Sequence, residues 1–434
     1  MLREGKENLV GGPRHQVRWA CSIASGHHGP NGPLLPPNMS SCWAHQAIAN
    51  LRAGHFSVSR TSGTSQNKSL AKMAQPSMLT QEITVKVKAI KVVAAGLLCA
   101  VIAACGGGTS DPVSAVRNKM SVASALPAGF IFSPYKDLTI NMNWNTNVIS
   151  TNVTGSLQPI LNVMPGKLNT LTWAFATGEC GSENWAGLTP SQVAGANVQA
   201  AVNAGKSYII STGGAAGSFT CGSDAGFSKF IQTYYSANML GVDFDIEAGQ
   251  SQDDINNLIQ RVIVAQRTYP NLRFSFTLAT LGGNSPQSLG GSGVMVMNAI
   301  QAAGLKNYTI NLMTMDYGSS IPGNCVIGSS GSCDMGLSAV QAAKNLRNYY
   351  GVPYSQIELT PMIGGNDTQD ETFTTADVAT VSAFAIQNGL AGVHFWSFDR
   401  DNDCAPGYAS PTCNSYGQAG TLGFTNQFIA QLGL

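Results

Sequence analysis

The chain contains 434 residues, of which 44% are hydrophobic and only 11% are charged, and its formal net charge is +1. This length allows one large domain together with additional segments. The sequence has neither a basic region that would bind nucleic acid nor an acidic tail, so we expect no nucleic-acid partner. Low charge combined with 48 glycines favours an exported protein.

The beginning of the chain differs from the rest in composition. Residues 1–77 are rich in Gly, Pro, His, Ser and Arg, and no apolar period runs through them. Without such a period, the segment offers no face that a folded core would bury. We predict that it is disordered, or that it is an upstream extension from a misassigned start codon, with Met73 or Met78 as the true start.

Residues 78–104 are typical of a lipoprotein-type signal peptide. Lysines at positions 86, 88 and 91 precede an apolar run over residues 92–104, which is too short to span a bilayer comfortably. The run ends in Ile102-Ala103-Ala104-Cys105-Gly106, which resembles a bacterial lipobox and implies diacylation of Cys105. Ordinary cleavage after an A-x-A-like site is the alternative, and loss of membrane association on Cys105→Ser would distinguish the two.

Residues 105–126 are predicted to be a flexible tether, because they are rich in small residues. The membrane would then be contacted only through the N-terminal lipid. We expect either a bacterial cell-envelope lipoprotein or a secreted protein.

Six of the ten cysteines fall in local pairs. An even number at short spacing in an exported, loop-rich chain predicts disulfides. Buried free thiols are the alternative, and spacing alone does not determine the connectivity. We expect no metal site, because the sequence has no C-x-x-C motif and no histidine cluster. The candidate pairs are Cys180 with Cys221, Cys325 with Cys333, and Cys404 with Cys413.

After the tether, strand-like apolar runs alternate with amphipathic helical ones. The predicted strands lie near 130–133, 171–176, 208–212, 241–246, 274–278, 309–315, 357–361 and 393–397. The predicted helices include 191–204, 226–238, 253–268, 336–350 and 375–388. Eight strands, most of them followed by a helix, predict an α/β (β/α)₈ TIM barrel as a single catalytic domain over 127–434, after the N-terminal leader. A doubly wound sheet is the alternative, but it would need a Gly-rich phosphate turn after the first strand.

The fourth predicted strand carries a row of acidic residues. Side chains two apart share one face of a strand, so Asp243, Asp245 and Glu247 lie side by side. Crowded, partly buried carboxyls have separated pKa values, and one of them can remain protonated as a general acid. Glu247 ends the strand, where a TIM barrel places its catalytic residues. A Ca²⁺ site or a solvated acidic edge is the alternative.

Four motifs follow one another at successive strand ends, and together they resemble glycoside hydrolase family 18, which includes the chitinases and endo-N-acetylglucosaminidases. The resemblance covers about Pro127 to the C-terminus and is greatest to the bacterial and archaeal chitinase D-like branch. The motifs are the acidic row, Ser211-Thr212-Gly213-Gly214, Asn311-Leu312-Met313-Thr314-Met315-Asp316-Tyr317-Gly318 and Phe395-Trp396-Ser397.

The resemblance implies a retaining mechanism without metal or organic cofactor, in which the 2-acetamido group of the substrate acts as the nucleophile. Glu247 would be the general acid and then the general base. Asp245 would orient the acetamido group, and Asp243 would share a proton with Asp245. The implied catalytic residues are therefore Glu247, Asp245, Asp243 and Tyr317.

Two positions depart from the family pattern. Leu240 occupies the place of the first motif aspartate, and Met315 occupies the place of the strand-six tyrosine. Strand parity puts Tyr317 on the same face as Met315, so we predict that Tyr317 takes over that role and hydrogen-bonds the acetamido oxygen.

The resemblance also implies which residues bind sugar. Trp396 is expected to form the floor beneath the sugar at the cleavage point, although a core tryptophan is the alternative. The predicted function is hydrolysis of β-1,4-linked N-acetylglucosamine polymers or oligomers by a monomer. Cleavage of N-glycan chitobiose cores and non-catalytic sugar binding are the alternatives. The remaining predicted binding residues are Met313, Met315, Asp316, Gly213, Gly214, Tyr135 and Trp185.

Overall fold

The computed structural model describes residues 126–434, with the exception of Ala248. The predicted upstream extension, the signal peptide, Cys105 and the tether up to residue 125 lie outside the described residues. Among the described helices, none has both the length and the apolarity needed to cross a membrane.

Eight parallel strands form the barrel in the described part of the chain. Strand β1 has two short parts on either side of Ser133 and Pro134, and it pairs with β2 through Tyr135 and with β8 through Ile131. Each other strand pairs with its neighbours in sequence, so the sheet closes into a ring. The strands are β1 (Ile131–Phe132 and Tyr135–Asp137), β2 (Thr170–Ala176), β3 (Ser207–Gly213), β4 (Met239–Asp245), β5 (Arg273–Ala279), β6 (Thr309–Thr314), β7 (Ile357–Pro361) and β8 (Gly392–Val393). The predicted TIM barrel is confirmed.

Seven α-helices accompany these strands within residues 126–434. They are α1 (Pro190–Asn203), α2 (Asp224–Tyr234), α3 (Gln252–Thr268), α4 (Gly291–Ala303), α5 (Met335–Tyr350), α6 (Thr375–Asn388) and α7 (Gly423–Leu432). All five predicted helices are present. The sequence analysis did not predict α4 and α7. Both begin at glycine, and α4 has no charged residue and few polar ones, so its helical period is weak.

The connection between β1 and β2, residues 138–169, contains no α-helix although all of it is described. A short hairpin pairs Ser150–Thr151 with Gln158–Pro159. The Asn197 side chain on α1 holds this connection, because its Oδ1 accepts from the Ile149 N–H at 2.8 Å and its Nδ2 donates to the Asn147 carbonyl at 2.8 Å. A side chain of the neighbouring helix thus fixes a segment that is not itself helical.

The last helix, α7, covers the seam between β1 and β8. The Phe428 ring lies 5.4 Å from that of Phe132 and 5.7 Å from that of Phe395. Asp401 accepts hydrogen bonds from the Phe424 and Thr425 N–H groups in the first turn of the helix. A capping carboxylate and stacked aromatic rings therefore anchor the C-terminus to the barrel.

Three disulfides join described cysteines, and they match the three candidate pairs. Cys180–Cys221 links the loop after β2 to the loop after β3. Cys325–Cys333 lies within the loop after β6, and Cys404–Cys413 within the loop after β8. All three cross-links therefore stabilise loops at the carboxyl ends of the strands, the face where TIM barrels carry their active sites.

Candidate active site

Asp243 is buried in the barrel interior and accepts hydrogen bonds from four hydroxyl groups. Tyr135 and Ser211 donate to its Oδ2 at 2.9 and 2.7 Å, and Ser275 and Thr277 donate to its Oδ1 at 2.6 and 2.7 Å. Two donors at each oxygen satisfy an ionised carboxylate. The structure thus shows hydroxyl donors at Asp243 where the sequence analysis expected a proton shared with Asp245.

Asp245 lies next along β4 and is also buried. Its Oδ1 has no hydrogen-bond partner among the described residues. Burial, and then the charges of Glu247 and Asp243, raise the pKa of Asp245 well above its usual range. This environment favours the protonated form of Asp245, and its free Oδ1 is available to a polar group in the cleft.

Glu247 follows the end of β4 and is partly exposed. Burial and the charge of Asp316 raise the pKa of Glu247 to about 7, although a hydrogen bond from the Ala215 N–H lowers it. Its backbone carbonyl accepts from Ser292 Oγ at 2.8 Å, which ties this turn to the start of α4. A carboxyl that titrates near neutrality suits a general acid that later acts as a base.

Asp316 lies beyond the end of β6, on the side of the cleft that faces Glu247. Burial and the charge of Asp367 raise the pKa of Asp316 to about 6, whereas the Thr368 N–H and the Arg400 charge lower it. The Thr368 N–H donates to Asp316 Oδ1 at 2.9 Å. The predicted cleft residue therefore lies close enough to Glu247 to influence its protonation.

Tyr317 does not lie where the sequence analysis placed it. Strand β6 ends at Thr314, and Asp316 adopts a left-handed backbone with φ of 50°, so strand parity no longer applies. The Tyr317 side chain is buried, and burial, followed by the charge of Glu371, raises its pKa well above the usual range. The charges that act on Tyr317 are those of Glu371, Asp316 and Asp377, and Asp377 lies in the first turn of α6, so Tyr317 lies on the helix side of β6.

Trp396 and Phe175 form a pair of stacked aromatic rings above the Asp243 network, which we call the aromatic platform. Their centroids are 5.6 Å apart and their planes differ by 17°. The Tyr135 ring lies 6.1 Å from Trp396 and 6.3 Å from Phe175. Sequence reasoning identified Trp396 and missed Phe175, although Phe175 lies near the end of β2, where a barrel collects its functional residues.

Two glycines that were predicted to bind sugar lie at close contacts between strands of the barrel. Gly213 and Gly214 have φ of 88° and 76°. A Cβ at Gly213 would overlap the Asp245 carbonyl oxygen, and one at Gly214 would lie 2.8 Å from the Phe175 ring. These glycines therefore let β3 approach β4 and the aromatic platform.

The other predicted binding residues divide between the cleft and its walls. Met313 and Met315 share the inward face of Asn311 and are partly exposed, as expected for cleft residues. Tyr135 is buried and acts through Asp243. Trp185 is only 2% exposed, and its Nε1 donates to the Tyr234 hydroxyl at 2.7 Å, so it forms a wall rather than an open surface.

A second polar layer lies below Asp243. Arg273 pairs with Glu358, whose other oxygen is 3.4 Å from His394 Nε2. Burial and the Arg273 charge lower the pKa of His394 to about 4, so this ring is neutral. His394 is an interior residue, and its Nδ1 lies 2.9 Å from the Ser133 carbonyl oxygen. Leu240 is the residue of β4 at which the register against β3 shifts, since Tyr208 pairs with Met239 and Ile209 with Gly241.

No family model matches this chain. It is 27% identical over 292 residues to a probable bifunctional chitinase/lysozyme of Escherichia coli K12, which covers 62% of this chain and 31% of the relative. It is 25% identical over 292 residues to endochitinase 11 of Metarhizium anisopliae, which covers 62% of this chain and 52% of that relative. The chain thus matches about a third of the first curated relative and about half of the second.

A solved structure extends the comparison to the fold. The catalytic domain of a hyperthermophilic chitinase from Pyrococcus furiosus superposes with a TM-score of 0.55 and 25% identity. The match covers 72% of this chain and 97% of that domain. The predicted resemblance of this chain to the chitinases of glycoside hydrolase family 18 is therefore confirmed.

Proposed function

We propose that the chain is a chitinase that hydrolyses β-1,4-linked N-acetylglucosamine polymers and oligomers by substrate-assisted, retaining catalysis. The observation that carries this proposal is the pair Asp245 and Glu247 at the end of β4. Both carboxyls have raised pKa values, and they lie beside an aromatic platform. The curated relatives and the solved catalytic domain, which are named as chitinases, support the same substrate.

In this mechanism, Glu247 donates its proton to the glycosidic oxygen as the bond to the leaving sugar breaks. The carbonyl oxygen of the substrate's own acetamido group attacks the anomeric carbon from the other side. Water then opens the cyclic intermediate, and Glu247 takes the proton of that water. Two displacements at one carbon retain the β configuration of the product.

The neighbouring carboxyls prepare this reaction. Asp245 would hold the acetamido group in the attacking orientation through a hydrogen bond with its N–H, and Asp243, with its four hydroxyl donors, lies beneath it. The charge of Asp243 favours the protonated form of Asp245, and the charge of Asp316 favours the protonated form of Glu247. In the acidic row, Glu247 is thus the acid, Asp245 positions the substrate, and Asp243 lies below and supports Asp245.

Glu247→Gln tests the central claim. Removal of a general acid and base is expected to lower kcat on chitotetraose by roughly 10²- to 10⁴-fold. The wild-type kcat/KM is expected to fall as pH rises through about 7, because Glu247 loses the proton that it must donate. Asp253→Asn, at an exposed carboxyl in the first turn of α3, is the matched control and should retain full activity.

Equal and negligible turnover of wild type and Glu247→Gln would show that the chain is not an enzyme and favour the sugar-binding alternative. A high-mannose glycopeptide serves as the second substrate. Cleavage of that glycopeptide without cleavage of chitotetraose would instead assign an endo-β-N-acetylglucosaminidase. Anomeric analysis of the first product tests retention.

A further inference from the structure

Glu371 is a buried carboxyl in the loop between β7 and α6, and the mechanism does not use it. It is only 2% exposed. Burial of a carboxyl is costly unless hydrogen bonds satisfy its oxygens. Its Oε2 accepts from the Tyr317 N–H at 3.0 Å, and the Asp316 and Gly318 N–H groups also donate hydrogen bonds to the carboxyl. Glu371 therefore binds three successive backbone N–H groups of the turn that follows β6.

The turn after β6 has the backbone conformation of an anion site. Asp316 and Gly318 are both left-handed, with φ of 50° and 83°. Left-handed residues in a turn direct successive N–H groups to one side, where they form a concave site for an anionic group. A residue other than glycine holds this conformation only where its surroundings fix it. The Glu371 carboxyl occupies this site from the neighbouring loop and thereby fixes the conformation of Asp316.

The same loop also holds the Asp316 side chain. The Thr368 N–H donates to Asp316 Oδ1 at 2.9 Å, and the Asp316 N–H donates to Asn366 Oδ1 at 3.3 Å. Within the loop, the Asn366 N–H donates to the Glu371 carbonyl at 3.0 Å, and the Glu371 N–H donates to the Thr368 carbonyl at 3.3 Å. The contacts thus run in both directions, and the position of the Asp316 carboxyl depends on Glu371.

The charge of Asp316 acts on the general acid. Together with burial, it raises the pKa of Glu247. Burial and the Asp316 charge raise the pKa of Glu371 to about 8, although its three N–H donors lower it. Burial and the charge of Asp367 raise the pKa of Asp316 only to about 6, so Asp316 carries the charge near neutral pH. The other charged groups around this cluster are Asp245 on β4, Asp367 in the β7–α6 loop, Asp377 at the start of α6 and Arg400 after β8.

We propose that Glu371 is a positioning residue for catalysis, whose carboxyl holds the turn after β6 so that the Asp316 carboxyl stays directed at Glu247. The proposal rests on the proposed function. Without Glu371, three N–H groups lose their acceptor, and Asp316 relaxes from the left-handed region toward ordinary backbone. Its carboxyl then moves away from Glu247, which loses its proton at a lower pH.

The pH dependence of catalysis tests this role. In Glu371→Ala, the alkaline limb of kcat/KM on chitotetraose is expected to move down by about one pH unit, because a like charge has left Glu247. Activity at pH 8 should therefore fall about tenfold, whereas activity at pH 5.5 should change less than twofold. Equal losses at the two pH values, or an unchanged alkaline limb, would overturn the proposal.

A double-variant cycle shows whether Glu371 acts through Asp316. Asp316→Asn removes the charge itself and should move the alkaline limb in the same direction. Addition of Glu371→Ala to Asp316→Asn should then produce no further shift. A further shift as large as that of Glu371→Ala alone would show that Glu371 does not act through Asp316.

Three more variants sharpen the comparison. Glu371→Gln keeps an oxygen that accepts from the turn, so most of the wild-type profile should return; a profile like that of Glu371→Ala would contradict the role. Glu371→Asp, whose shorter side chain cannot reach the turn, should give a shift of the same sign and serves if Glu371→Ala does not fold. The matched control is Glu183→Ala, in the loop after β2, which should leave the alkaline limb unchanged. Glu183 is also 2% exposed and accepts from the Gly181 N–H at 2.8 Å.

A measurement without substrate separates this proposal from the proposed function. NMR titration of protein with isotope-labelled glutamate carboxyls follows Glu247 directly, and Glu247→Gln identifies its signal. The titration midpoint of Glu247 should be about one pH unit lower in Glu371→Ala than in wild type. If wild type hydrolyses no chitin oligomer but this difference is present, the positioning of Asp316 stands and the proposed activity falls. If wild type is active and the midpoints are equal, only the positioning role falls.

Discussion

The acidic row of β4 depends on Asp243, because four hydroxyls from three strands hold its charge within the barrel. Tyr135 is the most connected of these donors. Its hydroxyl donates to Asp243 and also accepts from Asn311 Nδ2 at 2.9 Å. Interiors of this fold are usually filled by Val, Ile and Leu. The polar layer around the acidic row is therefore organised by Asp243.

Tyr135→Phe is expected to lower kcat/KM about tenfold or more, because a hydrogen bond to a charged group contributes ~1.5–3 kcal/mol. The lost hydrogen bond is one to Asp243, whose charge favours the protonated form of Asp245. Tyr208→Phe is the control, since this buried tyrosine donates to the Tyr234 carbonyl at 2.6 Å, far from the cleft. Steady-state kinetics and thermal unfolding of both variants separate the effects. Equal activities in the two variants would argue against this role for Tyr135.

Residue types and strand parity predicted Asp243, Asp245 and Glu247, because alternation along one strand is a local property. They did not predict the position of the Tyr317 side chain correctly, because the left-handed backbone of Asp316, the residue before it, interrupts the alternation of the strand. Nor did they find Ser275 as a donor to Asp243. A serine on a strand gives no functional signal in the sequence. The register of β5 against β4 places Ser275 opposite Asp243.

At the level of elements, all eight strands were predictable because buried parallel strands are continuous apolar runs. Helix α4 was not, since an apolar helix without a polar stripe has no visible period. The helix-free β1–β2 connection was also unpredictable in detail, because its position depends on Asn197 of α1, about fifty residues away.

The disulfides are expected to contribute unequally to stability. In the loop-entropy account, Cys180–Cys221, with a sequence separation of 41, stabilises the fold by about 4 kcal/mol at 25 °C. Cys404–Cys413, with a separation of 9, contributes about 2.6 kcal/mol. Urea unfolding of the two double alanine variants measures the difference. A smaller loss for the Cys180–Cys221 variant would contradict this account.

The described part of the chain buries several carboxyls whose pKa values are raised by burial. Burial raises the pKa of Asp399 and Asp401 to about 6 and that of Glu371 to about 8. Each therefore binds its proton more tightly in the folded state than in the unfolded state. At high pH these ionised carboxyls lower the free energy of unfolding, and this loss of stability is relieved as pH falls through 8 to 6. His394 opposes this trend only at lower pH, since its lowered pKa costs stability as pH falls from 6.5 toward 4.

We therefore expect the melting temperature to be higher at pH 5.5 than at pH 8. Differential scanning calorimetry across this range at constant ionic strength measures it. Glu371→Gln should reduce the slope, because it removes the carboxyl that titrates highest of the three. A melting temperature that stays constant or falls between pH 8 and 5.5 would refute this expectation. Export of the chain and lipid attachment at Cys105 remain predictions.

The placement of the disulfides affects the resistance of the protein to proteolysis. Loops at the carboxyl ends of the strands are the longest exposed segments of a TM barrel, so they are its natural cleavage sites. A single cut between Cys325 and Cys333, or between Cys404 and Cys413, leaves the two new ends covalently joined. A molecule cleaved once in either loop would thus keep that loop in place, and the enzyme should remain active.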